Sequence, residues 1–245
     1  MSEIHIAGDY QYKALKERCV VRKFWYENKK RFLEEKAVIT SSDVVLDAGC
    51  GSGNEIVYLS PRVRKVVGVD LNKDAIYFVQ KQTRMLSISN IALVISDLVS
   101  LPIKSECFDK IILFEVLEHF DDKSIEGVLI ELRRILKPQG TIFLTIPNHR
   151  SLWPVVEKIL GLFGWVASLK EQHKIKFDYH TLKAIVSGKF RVIEMGSFNY
   201  FSPFLSIFSR KMAEWFFKRE INSNNMCGLT LWCILEREGR EHGSF

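Results

Sequence analysis

Val44-Val45-Leu46-Asp47-Ala48-Gly49-Cys50-Gly51-Ser52-Gly53-Asn54 decides how the rest of the chain is read. Four residues with strand character run into a loop with glycine at every second position, and 55–59 then has helical character. Such a strand–loop–helix lets backbone approach a ligand closely, with helix N-terminal amides facing it. Gly49, Gly51 and Gly53 spell G-x-G-x-G. The dinucleotide fingerprint G-x-G-x-x-G requires glycine at position 54, where the chain has Asn, and no G-K-[ST] follows. A phosphate-cradling P-loop is thereby excluded. A glycine-rich turn is ambiguous by itself, so the acidic residues downstream must decide.

Strand-like segments recur at 66–71, 91–96, 108–114 and 141–146, the fourth holding the run Ile111-Ile112-Leu113-Phe114. Between them, Asn72 caps a predicted helix over 73–86 with Asp74 in its first turn, and 124–136 has helical periodicity. Lys137-Pro138-Gln139-Gly140 reads as a turn that cannot continue a helix. Strands apolar on both faces that alternate with helices make a parallel sheet covered by helices. Such sheets bind ligands at the carboxyl ends of their strands. Here each end carries a polar or turn residue: Asp47, Asp70, Asp97, Glu115, and Pro147-Asn148. That recurrence says more than the glycines do.

The flanks differ in character. Residues 10–37 read as one or two helices, with Tyr12, Leu15, Cys19, Phe24, Trp25, Phe32 and Leu33 on the apolar face. After Pro147, the segment 151–169 is rich in Leu, Val, Trp and Phe. A short helix over 180–187, a strand over 190–198, one aromatic amphipathic helix over 202–219 and a strand over 229–236 complete the reading.

Composition narrows the class. A chain of 245 residues, 47% hydrophobic and 26% charged, suits one α/β domain over 1–245 with a substantial core. The expected parts are an N-terminal helical lid (1–40), a ligand-binding core (41–150), a second lid with the sixth strand (151–220), and the last strand and tail (221–245). Five scattered cysteines without a C-x-x-C pair fit reduced thiols in the cytoplasm better than disulfides or zinc. No secretory leader or membrane-spanning run is visible. A net charge of +6 permits an anionic partner without demanding one, and basic residues mostly alternate with acidic ones. Nucleic acid is therefore not the favoured partner. Nothing in the pattern indicates an oligomeric state.

Together, 44–54, Val69-Asp70-Leu71, Ser96-Asp97-Leu98 with Leu101-Pro102, Phe108-Asp109 through Glu115-Val116-Leu117-Glu118-His119, and 136–141 resemble the class I S-adenosylmethionine-dependent methyltransferases, in particular the ubiquinone-type O-methyltransferase (methyltransferase type 11) group. The segments stand in the family's order and cover roughly 40–150. The resemblance implies a Rossmann-like, seven-stranded, mostly parallel sheet with an antiparallel last strand in an αβα sandwich. It implies S-adenosylmethionine (SAM) as cofactor and S-adenosylhomocysteine as product. Gly49, Cys50, Gly51 and Gly53 would pass under the methionyl and ribose parts, and Asp70 with Leu71 would meet the ribose. Asp97 and Leu98 would meet the adenine, and Asp47 would act toward the methionyl amine or organise the loop. Glu115 would lie near the cofactor.

Methyl transfer asks little covalent help of the protein, which aligns a nucleophile and removes its proton. Three readings of Glu115-x-x-Glu118-His119 stay open. His119 could be the base for a hydroxyl acceptor; the three could hold a divalent cation; or they could shape the pocket, sharing one side if the turn is helical. His149 and His173 are pocket-lining candidates, and His180 opens a helix. No Asn-Pro-Pro-Tyr type motif follows the fourth strand, which points away from amino-group methylation of bases or glutamine. The expected acceptor is an oxygen of a small or lipid-like molecule. Alternatives are carbon methylation of a quinone or sugar-type metabolite, an RNA nucleoside, or a SAM-binding scaffold without catalysis. The acceptor lids are expected at 10–36 and 151–177. The aromatics Phe204, Phe208, Trp215 and Phe217, beside Arg210, Lys211, Lys218 and Arg219, leave peripheral membrane contact open.

Overall fold

A computed structural model describes residues 8–9, 12–13, 19–151, 175–223 and 225–237. The expected lid segment 152–174, with His173, and the apolar-face residue Leu15 lie outside the described residues. In chain order the elements are α1 (Val20–Lys36), β1 (Val44–Ala48), α2 (Asn54–Leu59), β2 (Lys65–Asp70), α3 (Lys73–Met85), β3 (Ile91–Ile95), β4 (Phe108–Phe114), α4 (Asp122–Ile135), β5 (Leu136–Pro147), α5 (Tyr179–Ser187), β6 (Arg191–Phe198), α6 (Ser202–Leu205), α7 (Arg210–Ile221) and β7 (Thr230–Glu236). Among these residues seven strands form one sheet of order β3-β2-β1-β4-β5-β7-β6. The pairs among β1–β5 are parallel, and β7 runs antiparallel to both β5 and β6. The fold is the expected Rossmann-like αβα sandwich.

Strand alternation assigns the two layers of helices. Leu46, Ala48, Ile111, Leu113, Ile142 and Leu144 pack with α4 and α5 on one face. Their sequence neighbours Val45, Ile112, Phe114 and Phe143 pack with α1, α2, α3 and α7 on the other. Period-2 geometry on a doubly covered sheet thus explains why the strands read as continuous apolar runs. Phe32 anchors α1 to the second face, its ring 5.3 Å from Trp232, 5.8 Å from Phe114, 6.0 Å from Phe198 and 6.2 Å from Phe143 between centroids.

Capping is local and legible. Asn72 accepts hydrogen bonds from the amides of Asp74 and Ala75, as expected; Asp121, Asp178 and Ser209 cap α4, α5 and α7 in the same way. Two expectations need correction. The segment 137–140 is an irregularity inside β5, which starts at Leu136 opposite Phe108, shifts register, and resumes at Thr141 opposite Lys110, with Gln139 left-handed (φ 62°). The single helix expected over 202–219 is two, α6 and α7, broken at 206–209. Ser209 is extended there and its hydroxyl serves the Met212 amide. A serine that caps one helix cannot continue another.

Candidate active site at the carboxyl ends of β1, β2 and β4

Three glycines of the opening loop have positive φ: Gly49 (75°), Gly51 (46°) and Gly53 (73°). A Cβ on Gly49 would lie 2.5 Å from a Val116 methyl, and one on Gly53 would lie 2.7 Å from a Val79 methyl. Both glycines are thus demanded by backbone conformation and by packing on the loop after β4 and on α3. The amides of Gly49 and Cys50 both donate to the Val69 carbonyl, tying the loop to β2. Cys50 is buried in the core beside Ile56 and Val79, and burial pushes its thiol well up, so no thiolate chemistry is open to it.

Asp70 ends β2 and is half-buried. One carboxylate oxygen accepts from the Gly51 amide at 2.8 Å and the other from the Asn72 amide at 2.8 Å. Backbone donors fix its orientation, and each oxygen retains a lone pair for a ligand hydroxyl. Next to it Leu71 is an exposed apolar side chain at a strand end. Asp97 is exposed, accepts from the Val99 amide at 3.1 Å and organises its own turn, whereas Leu98 is buried in the core.

Glu115, after β4, has φ 56°, a conformation costly for a residue with a long side chain. It is held by its amide on the Thr145 carbonyl (2.9 Å) and by the Thr145 hydroxyl donating to its carboxylate (3.2 Å). The following turn, Leu117–His119, is a 3-10 helix, not an α-helix. Glu115 therefore stands outside it, and the α-helical spacing on which a shared side for Glu115, Glu118 and His119 was conditional is absent. Among the described residues no group of three His, Cys, Asp or Glu is placed to hold a metal ion. Glu118 is fully buried and His119 half-buried. His149 is half-buried, and desolvation, with Lys176 nearby, lowers its pKa. His180 lies in the first turn of α5 behind the Asp178 cap.

The centre of the site is electrostatic. Asp47 and Glu118 are both buried, and one oxygen of each, Oδ2 and Oε2, has no hydrogen-bond partner among the described residues. Desolvation holds the Asp47 carboxyl well above the usual range, reinforced by Glu55 and Asp70. Desolvation does the same to Glu118, reinforced by Glu115, and also raises half-buried Glu55. Lys29, buried on α1, opposes all three shifts. Yet no ion pair within 4 Å joins it to these acids among the described residues, and its Nζ lies 5.6 Å from the Tyr26 ring centre. Charges that sense one another without touching suit a guest carrying both an ammonium and a carboxylate. Lys29 and Glu55 are the residues that the sequence reading missed. The available signal was spacing: Lys29 lies four residues after Trp25 and four before Leu33 on the helix face otherwise assigned as apolar.

Residues 45–140 match a family model described as a methyltransferase domain. A probable S-adenosylmethionine-dependent methyltransferase of Mycolicibacterium smegmatis is 24% identical over 131 residues, 54% of this chain and 48% of that protein. Over residues 45–140 this chain therefore resembles a methyltransferase domain, set in a fold of the S-adenosylmethionine-dependent kind. The match implies SAM as cofactor and S-adenosylhomocysteine as product. The chain is also 24% identical over 119 residues to the (S)-tetrahydroprotoberberine N-methyltransferase of Eschscholzia californica, covering 48% of this chain and 33% of that one. A crystal structure of a Pyrococcus horikoshii protein shares the fold, with a TM-score of 0.64 at 17% identity over 87% of this chain and 90% of that one. The chain spans between a third and about three fifths of the length of the curated relatives considered.

The residues present fit SAM. The Asp47 oxygen without a described partner can accept from its ammonium, Lys29 can meet its carboxylate, and Asp70 can accept from ribose hydroxyls with ionised-acceptor strength. No helix among the described residues is long and apolar enough to cross a membrane.

Proposed function

We propose that this chain is a SAM-dependent methyltransferase acting on an oxygen of a small or lipid-linked acceptor, with Glu118 and His119 beside the reacting atoms. When bound, SAM supplies a methyl carbon activated by an adjacent sulfonium, which leaves as a neutral thioether. Lys29, Asp47 and Asp70 hold the two ends of the cofactor, and Leu71 shields its middle from water. Asp97 and Leu98 complete the adenine end, and Gly49, Cys50, Gly51 and Gly53 shape the loop beneath. Glu115, fixed by Thr145, maintains the turn that carries the acids.

The observation that carries the oxygen reading is Glu118. A hydroxyl must lose its proton as its oxygen bonds to carbon, and the proton needs an acceptor of raised basicity at the site. Burial has raised the Glu118 carboxyl in that way, and one of its oxygens has no partner among the described residues. His119 is the adjacent alternative. No metal enters this reading.

The test is transfer of isotopically labelled methyl from SAM to fractions of a host metabolite extract, followed by fragmentation of the labelled product. Label on an ether or ester oxygen is the expected outcome. Label on carbon or nitrogen, or on an RNA nucleoside, refutes the oxygen reading. SAM binding with no transfer to any fraction would favour a non-catalytic scaffold.

A further inference from the structure

The apolar residues around α6 and α7 do not all go inward. Phe217 and Ile221 are buried against the sheet, but Phe208 is 82% exposed, Phe201 65%, Ile207 62% and Trp215 50%. Phe204 and Met212 are also exposed. Adjacent in sequence and succeeding one another along the α7 turns, these residues form one surface, far more apolar than scattered exposed side chains require.

The surface is held firmly. Buried Glu220 accepts from the amides of Asn199 (3.0 Å), Phe201 (2.8 Å) and Ser202 (2.9 Å) and from the Ser202 hydroxyl (2.7 Å). Asn28 of α1 donates to the Asn199 side chain at 2.6 Å, and Asn199 donates to the Thr230 hydroxyl at 3.1 Å. A buried carboxylate satisfied by four donors rigidifies the junction between β6 and α6, so the exposed apolar residues are displayed on a fixed support.

Its charges are one-sided. The only acids in 201–221 are Glu214 and Glu220. Glu214 pairs with Arg31 and Arg210, and Glu220 is buried. Arg210 also pairs with Glu27, and Lys218 with Glu35, which ties that side of α7 to α1. Lys211 is exposed, and Arg219 lies 3.9 Å above the Trp215 ring. Within 201–221 the outward face is therefore aromatic and basic, its two acids being paired or buried.

Its position relative to the active site follows from topology. Because β6 is antiparallel to β7, and β7 to β5, β6 runs parallel to β1–β5. Its carboxyl end at Phe198 lies on the same edge of the sheet as Asp47, Asp70 and Glu115, and the chain enters the aromatic surface directly from there.

We propose that the face formed by Phe201, Phe204, Ile207, Phe208 and Trp215, with Lys211 and Arg219, docks on an anionic lipid bilayer. Aromatic and aliphatic tips enter the headgroup boundary, and the two cations meet lipid phosphates or carboxylates. A symmetric contact with a second copy would instead bring Lys211 and Arg219 of both chains together, and like charges oppose that. Docking orients the active-site edge toward the bilayer, where a lipid-linked acceptor would be presented. This last point rests on the proposed acceptor; the docking itself does not.

The experiment is co-sedimentation of the full chain with vesicles of phosphatidylcholine alone and with 30% phosphatidylglycerol, in low and high salt. Expected are binding to the anionic vesicles, weakening in high salt, and a blue shift of tryptophan emission that is lost in Trp215→Leu. The double variant Ile207→Ser, Phe208→Ser should weaken vesicle binding about tenfold or more, since each apolar side chain entering the interface contributes severalfold. Lys211→Glu with Arg219→Glu should weaken it about fivefold per charge. All the altered side chains are exposed, so S-adenosylhomocysteine affinity by calorimetry should stay unchanged in both doubles; that control separates failed docking from failed cofactor binding. Equal binding to neutral vesicles, no binding at low salt, or insensitivity to both doubles overturns the proposal. So does self-association in sedimentation velocity that Phe208→Ser abolishes, which would assign the face to a second copy.

Discussion

Replacing Lys29 by Met removes one buried charge and keeps most of the packing of its stem. In the native protein Lys29 lowers the carboxyls of Asp47, Glu55 and Glu118, which desolvation otherwise raises. Without it, all three folded-state pKa values rise further. An acid whose folded pKa lies above its unfolded value keeps its stability contribution at pH below the unfolded value and loses it as pH rises through the folded one. Lys29→Met must therefore lose stability relative to wild type as pH rises through the wild-type folded values, which already lie above the ordinary carboxyl range. Removing one partner of a buried charge cluster costs about 3–5 kcal/mol when the remaining charges stay ionised. Since the acids can escape by taking protons, about 3 kcal/mol at pH 8.5 is expected. That lowers Tm by roughly 6–12 °C for a domain of this size, with a much smaller loss at pH 5.5. Thermal and urea unfolding at pH 5.5, 7 and 8.5 would measure it. A variant as stable as wild type at pH 8.5, or equally weakened at every pH, would refute the assignment of Lys29 as counter-charge to these acids.

Four further outcomes follow from the same site. Binding of SAM should release a proton from Asp47 and so tighten from pH 5.5 to 8; calorimetry in buffers of different ionisation enthalpy reads this directly, and an absence of proton release contradicts it. Glu118→Gln should leave unliganded stability at pH 7 within about 1 kcal/mol or better, because the amide keeps the side chain's volume and removes a charge that burial disfavours. It should nevertheless slow methyl transfer about a hundredfold or more with SAM affinity little changed, as expected for a lost base, and a large loss of stability would mark Glu118 as structural only. Asp70→Ala should weaken S-adenosylhomocysteine binding by about a hundredfold or more, two bonds to an ionised acceptor being worth roughly 1.5–3 kcal/mol each; unchanged affinity would remove it from the ribose site. Gly49→Ala should destabilise by about 2–4 kcal/mol, from left-handed backbone and the 2.5 Å approach to Val116, and Val116→Ala should recover part of that loss in urea unfolding.

How much of this was legible in the sequence depended on how local the cause was. The Asn72 cap and β1, β2 and β4 were readable because side-chain spacing and backbone donors a few residues apart fix them. Asp47, Asp70 and Glu115 were readable as strand-end neighbours because a parallel sheet gathers the ends of its strands on one edge. The 202–219 segment was misread as one helix because its aromatics keep a helical rhythm across Ser209, whose hydroxyl serves α7. How Glu115, Glu118 and His119 are arranged was not readable, because a left-handed residue precedes a 3-10 turn where an α-helical turn was one of the readings.

What the sequence determined by itself was the alternation of strands and helices, the acidic residue at each strand end and the family these imply. Those features lie in short-range patterns, repeated along the chain, that hydrophobic periodicity and backbone stereochemistry make unambiguous. Only the tertiary structure decided that Lys29 enters a cluster with Asp47, Glu55 and Glu118, that Gly49 answers to Val116, and that Phe217 turns inward while Phe208 turns out. Each depends on which distant element covers a given face, and burial, with the electrostatics that burial creates, is a property of packing that a one-dimensional pattern does not carry.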